Sequence, residues 1–164
     1  YFFKIDYDYI DMNIVQPTVE MMMLEGWDGA QDEFANALDN LGTGDFKSAI
    51  HDSAKSFESV LKVILGVSEG NASTLLQMLA EQGFFDTIPS DAAKGITQSV
   101  FMALPFLRNR LAGHGQGSEV VKVPENYARL AVEMAAIFNR FFIQESRLNT
   151  TEKTAEFDFP DIPF

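Results

Sequence analysis

Arg108, Asn109 and His114 stand in one short stretch, LRNRLAGHGQG, Leu107 to Gly117. Their types suit chemistry on phosphate. A guanidinium offers a fork of N–H donors that fits a phosphate, and an imidazole carries protons near neutral pH. The same stretch also reads as a helix stop: Gly113 and Gly115 can end an apolar helical run, with His114 favoured by the dipole at a helix C-terminus. That account leaves unexplained why Arg108 and Asn109 stand together at the end of FMALPFL. Arg108 and His114 can converge only where the helix ends or bends between them, and the glycines permit that.

A second polar group lies on the stretch DFKSAIHDSAKSFESVLKVILG, from Asp45 to Gly66. His51, Lys55, Glu58 and Lys62 fall at i, i+4, i+7 and i+11, so a helix lines them along one face beside its apolar one. They form either a solvated edge with a Glu58–Lys62 pair or one wall of a polar site. Other motifs carry less. GTGDFKS (Gly42–Ser48) has the outline of a phosphate loop, but Phe46 stands where Gly is needed and a helix precedes it, so it reads as a turn. DYDYID (Asp6–Asp11) lacks the ligand and the glycine of a calcium loop. With two His and no Cys, no metal site and no cofactor are expected.

Composition bounds the rest. The 164 residues suffice for one domain with its own core, and 46% of them are hydrophobic, 15 being Phe, which is a globular composition. The absence of Cys removes disulfides and thiolate nucleophiles and fits a cytoplasmic location. No apolar run reaches membrane-span length. The chain opens at Tyr1 without Met, so a preceding part is expected. A net charge of −12 opposes general nucleic-acid binding. The charge is unevenly spread, however: residues 94–147 hold seven bases against four acids. That is compatible with a small phosphate site and unfavourable for a long nucleic-acid track.

The elements that must position these residues are helical. Residues 1–10 alternate with a strand period, with Glu119–Pro124 as the one candidate partner. From Pro17 onward helical spacing dominates. Helices are expected from Pro17 to Gly26, from a cap at Asp28 to Gly42, and from Asp45 to Gly66. Further helices are expected around Ala72–Gln82, from Asp91 to Leu111 with a kink at Pro105, and from Pro124 to Leu148. Strong apolar stripes with short links imply an all-α helical bundle. Residues 1–16 are then an extended lead-in, 17–147 the helical domain, and 148–164 a flexible acidic tail.

Three blocks in order carry a family resemblance: Trp27–Leu65, then LRNRLAGHGQG, then NYARLAVEMAAIFNRFF (Asn126–Phe142). Together they resemble the HEPN superfamily, and within it the C-terminal domain of bacterial abortive-infection proteins. The superfamily's signature is Arg, a polar residue often Asn, a few variable residues, then His. Arg108, Asn109 and His114 match it with five residues between Arg and His. The resemblance covers about Asp11 to Glu145. It implies a HEPN-like bundle and a metal-independent ribonuclease of anti-phage or toxin–antitoxin systems, with RNA as substrate. His114 would then be the acid/base, Arg108 the clamp on transition-state charge, and Asn109 a positioning group. It further implies a homodimer, since one motif supplies one histidine. His51 is an internal alternative as second proton carrier, and Glu58 and Lys62 match a Glu–x–x–x–Lys feature of some members. Other members are non-catalytic dimerisation or interaction modules, which the acidic charge suits.

The last residues carry a separate resemblance. FDFPDIPF, with Asp161, Ile162, Pro163 and Phe164 at its end, is similar to the C-terminal tip of bacterial single-stranded-DNA-binding proteins. It implies a protein partner with a basic, apolar pocket for a terminal Phe. The other reading is a solubilising acidic tail.

Overall fold

The computed structural model describes residues 10–113 and 122–156. Pro17 lies in the first turn of α1 (Gln16–Glu25), where its missing N–H costs no helical bond. The helix ends at Gly26 (φ 69°), whose N–H donates to the carbonyls of Met22 and Met23. A π-helical turn, Asp11–Val15, runs directly into α1. Residues 10–16 are therefore helical where an extended lead-in over 1–16 was expected. The period-2 alternation ends at this point: Val15, Thr18 and Met22 are buried at helical spacing. Thr18 Oγ1 donates to Ile14 O (2.6 Å) and lies 3.2 Å from Ala136 O, tying this end to the last helix. Residues 1–9, and with them most of the expected strand, lie outside the described residues, as does half of its partner Glu119–Pro124.

α2 (Asp28–Thr43) and α3 (Phe46–Leu65) form an antiparallel hairpin. Asp28 was expected to cap α2; the cap position is Trp27, and Asp28 is the first helical residue, where the dipole favours its charge. Asp45 caps α3, its Oδ1 accepting from the Ser48 N–H at 3.1 Å. Two bonds fix the antiparallel pairing. Asn40 Nδ2 donates to Asp52 Oδ2 (2.9 Å), and Ser59 Oγ donates to Glu33 Oε2 (2.6 Å). α4 (Ala72–Glu81) starts at Asn71, whose Oδ1 accepts from the Thr74 N–H at 3.0 Å.

The run from Ser90 to Ala112 is one helical path in four pieces. α5 (Ser90–Ile96) passes into a π-helical turn, Thr97–Phe101, then α6 (Ala103–Leu107), then a second π-helical turn, Arg108–Ala112. The expected disturbance at Pro105 falls one turn earlier. Pro105 has no N–H for the carbonyl of Phe101. The backbone loosens at Thr97–Phe101, where Met102 N–H reaches back five residues to Thr97 O (3.3 Å), and Pro105 itself is buried in α6.

α7 (Glu125–Glu156) closes the bundle against α3. Its apolar residues split into two faces where one core stripe was expected. Ala128, Ala131, Ala135, Phe138 and Phe142 are buried, whereas Tyr127, Leu130 and Ile137 are exposed. The inward face meets a cluster of rings. Phe142 lies 5.7 Å from Phe57 of α3, 5.5 Å from Phe84 and 4.8 Å from Phe101, centroid to centroid. The helix also continues beyond Leu148, so residues 148–156 are helical where the tail was expected to begin. The polar stretch contains no Pro or Gly before Pro160, and Thr150 and Thr151 turn their hydroxyls onto the carbonyls of Ser146 and Arg147. Residues 157–164 lie outside the described residues. Among the described residues, no helix is long and apolar enough to cross a membrane.

Phe142 is fully buried and touches rings from three parts of the chain. Phe142→Ala is expected to destabilise the domain by about 3–5 kcal/mol in urea unfolding, whereas exposed Leu24→Ala should change it by less than about 0.5 kcal/mol. Equal effects of the two substitutions would contradict this core.

Candidate functional site

Arg108 is placed by what lies on either side of it. Leu104 and Pro105 anchor α6 in the core, and Ala112 is buried at the end of the π-helical turn. Leu107 and Leu111, half-buried, pack against the same core. The turn therefore lies on α3, the helix that carries His51, Glu58 and Lys62. Extra-wide turns of this kind inside helices are frequent at functional sites. Arg108 is half-buried, and Asn109 and Arg110 are exposed.

Arg108 Nη1 donates to Asn109 Oδ1 at 3.3 Å, so the two residues singled out by type act on each other. No carboxylate pairs with Arg108 among the described residues. Its neighbour Arg110 is engaged differently, its guanidinium carbon lying 5.7 Å from the centre of the Phe106 ring. Arg108 thus presents a guanidinium whose charge no acid among the described residues neutralises, which is what binding an external anion requires.

Gly113 does end this helix, but not as a left-handed cap. Its φ is −86° and ψ −12°, an ordinary right-handed conformation. The space there is tight. A Cβ there would lie 3.1 Å from both the Cα and the O of Asn109, and 3.3 Å from Arg108 O. The wide turn brings its own exit against the backbone that carries Arg108 and Asn109. His114, the next residue, lies outside the described residues. Asp161, Ile162, Pro163 and Phe164 lie outside them too.

The polar face of α3 divides. At its N-terminal half Asp52 is the centre. It accepts from Asn40 of α2, its Oδ1 is 3.4 Å from His51 Nδ1, and Lys55 Nζ is 3.9 Å from the same oxygen. Sequence reasoning passed over Asp52. The only signal was its place beside His51 and three residues before Lys55. Glu58 turns away from Lys62: its Oε1 accepts from the Ala72 N–H (3.3 Å) at the N-terminus of α4, where the helix dipole favours a carboxylate. The expected Glu58–Lys62 pair is not formed, and Glu58 caps a neighbouring helix.

Grooves indent the surface formed by the described residues. One of about 840 Å³ lies between Trp27, Ile64, Phe84 and Arg147, and one of about 430 Å³ between Leu76, Phe85, Lys94 and Met102. Neither is lined by Arg108, Asn109, His51, Glu58 or Lys62. Among the described residues, no group of three or more His, Cys, Asp or Glu is placed to hold a metal ion.

The close approach at Gly113 is testable. Gly113→Ala is expected to cost about 1 kcal/mol of stability and to shift the backbone amide resonances of Arg108 and Asn109. Unchanged resonances at both residues would contradict the contact.

No curated protein and no solved structure matches the chain. A family does. The Abi_C family, described as a HEPN-like domain, matches residues 28–146, from the start of α2 through most of α7 and across the Arg108 turn. The match covers well over half of the 164 residues and agrees with the helical bundle described above, so the chain belongs to the HEPN-like domain family Abi_C.

Proposed function

We propose that this domain is a metal-independent endoribonuclease acting in bacterial anti-phage abortive infection or a toxin–antitoxin system. The observation that carries the reading is Arg108, half-buried at the head of a π-helical turn, bonded to Asn109 and unopposed by any carboxylate among the described residues. The reaction is transesterification within RNA. The ribose 2′-oxygen attacks the adjacent phosphorus, the bond from phosphorus to the 5′-oxygen breaks, and a 2′,3′-cyclic phosphate and a 5′-hydroxyl result. A base takes the proton from the 2′-hydroxyl, and an acid delivers one to the leaving 5′-oxygen. His114 serves as one of these groups. Arg108 offsets the charge that gathers on the phosphoryl oxygens, and Asn109 orients the guanidinium. Glu58 is committed to α4 and takes no part. A second copy of the chain supplies the second histidine.

A second reading is favoured by the net charge of −12. It makes the domain a non-catalytic interaction module, with Asp161–Phe164 imitating the tip of a single-stranded-DNA-binding protein for a partner's pocket.

Incubation of the purified protein with total RNA in EDTA separates the two. The wild type is expected to cut, while His114→Ala and Arg108→Ala each lose about 100-fold or more. Arg108→Lys should recover part of the activity, because it restores the charge without the fork. Cleavage that survives His114→Ala, or intact RNA with the wild type, would overturn the ribonuclease reading.

A further inference from the structure

The groove of about 840 Å³ lies away from the Arg108 turn and suits an apolar occupant. Trp27, Val63, Ile64 and Phe84 line it, and Val63 is 44% exposed. Among the described residues its only charged side chains are Arg147 and Glu25, which pair with each other at 2.6 Å. A phosphate or nucleotide would therefore meet a base that is already neutralised. An apolar side chain would hide surface on both sides from water.

The nearest apolar segment is the chain's own end. One wall of the groove is the last part of α7, where Ser146, Arg147, Thr150 and Thr151 line it. The helix runs on to Glu156, about 7.5 Å beyond Thr151 and about 15 Å beyond Ser146. The sequence then continues as FDFPDIPF, Phe157 to Phe164. Extended, this segment spans about 26 Å, so it can turn back and still lie along the whole wall. Pro160 and Pro163 oppose continuation of the helix, and each biases the residue before it, Phe159 and Ile162, toward extended backbone. In an extended chain Ile162 and Phe164 share one face and Asp161 takes the other. Both apolar side chains can then enter the groove while the acid stays in water. A tether this short sets an effective concentration of about millimolar, which favours this occupant over a separate molecule of similar chemistry.

We infer that the groove binds residues 157–164 of its own chain, with Ile162 and Phe164 on the apolar wall formed by Trp27, Ile64 and Phe84. The proposal rests on neither reading of the function, since Arg108 does not line the groove and no RNA is needed to observe it. It bears on the second reading: a partner that takes Asp161–Phe164 must win them from the groove.

Trp27 is the chain's single tryptophan, so its fluorescence reports the groove. Ile162→Ser with Phe164→Ser, made together in the whole chain, should move the emission to longer wavelength and open Trp27 to acrylamide quenching. Circular dichroism should be unchanged. A synthetic peptide of residues 157–164 added to this double variant should reverse both changes at about millimolar concentration. Val63→Asp, on the exposed part of the wall, should release the segment from the other side. Backbone relaxation of residues 157–164 should then match that of the double variant and show more motion than in the wild type. Equal Trp27 emission and quenching in the wild type and the double variant would overturn the proposal. So would equal motion of residues 157–164 in the wild type and Val63→Asp, or a Trp27 signal that changes with protein concentration, the result for a segment docked on another copy.

Discussion

The contact between α3 and α7 at Phe57 is the constraint on which the rest of the bundle depends. Phe57 is fully buried and lies 5.6 Å from Phe138 and 5.7 Å from Phe142, one helical turn apart on α7. Phe101 packs on the same two rings at 5.4 Å and 4.8 Å. Aromatic pairs of this kind add about 0.5–1.5 kcal/mol each beyond the area they bury. Their structural consequence is larger. Phe101 ends the π-helical turn before α6, and Arg108 begins the next one two turns on. The cluster that joins the two longest helices therefore also fixes the path that delivers Arg108 to α3.

A buried polar chain runs beside these rings. Asn139 Nδ2 donates to Ser56 Oγ (3.0 Å), and Ser56 Oγ donates to Ala30 O (2.9 Å), linking α7, α3 and α2 in one line. Ser56 and Asn139 are fully buried. Apolar contacts alone tolerate sliding of one helix along another, whereas a buried hydrogen bond breaks on a shift of one turn and leaves polar groups unpaired. The rings supply cohesion and the polar chain supplies register. Together they hold the helix on which the Arg108 turn lies.

Much of this was legible in the residues. Pro17 and Gly26 bracket α1, Asp45 and Gly66 bracket α3, and the apolar spacing of α3 marks its buried side, because caps and periodicity act within a few residues. Arg108 and Asn109 could be singled out by type and by their place at the end of an apolar run. What could not be read depends on distant partners. Glu58 has a lysine one turn away on its own helix, yet it serves the N-terminus of α4 across a link that spacing cannot see. The two apolar faces of α7 look like one stripe until the bundle decides which is inside. The π-helical turns at Asp11–Val15, Thr97–Phe101 and Arg108–Ala112 are announced by no residue pattern. Gly113 was expected to end the helix together with Gly115; it follows the last helical turn at Ala112, and it also makes a close backbone approach to Asn109 that spacing does not show.

The central claim is that the Arg108 turn, with His114, cuts RNA by way of the RNA's own 2′-hydroxyl. The chemical ends of the fragments test it most directly. RNA cut by the purified protein in EDTA should carry 2′,3′-cyclic phosphates and 5′-hydroxyls, distinguishable by mass. Fragments with 3′-hydroxyl and 5′-phosphate ends would contradict the account, because water rather than the ribose would then have attacked the phosphorus.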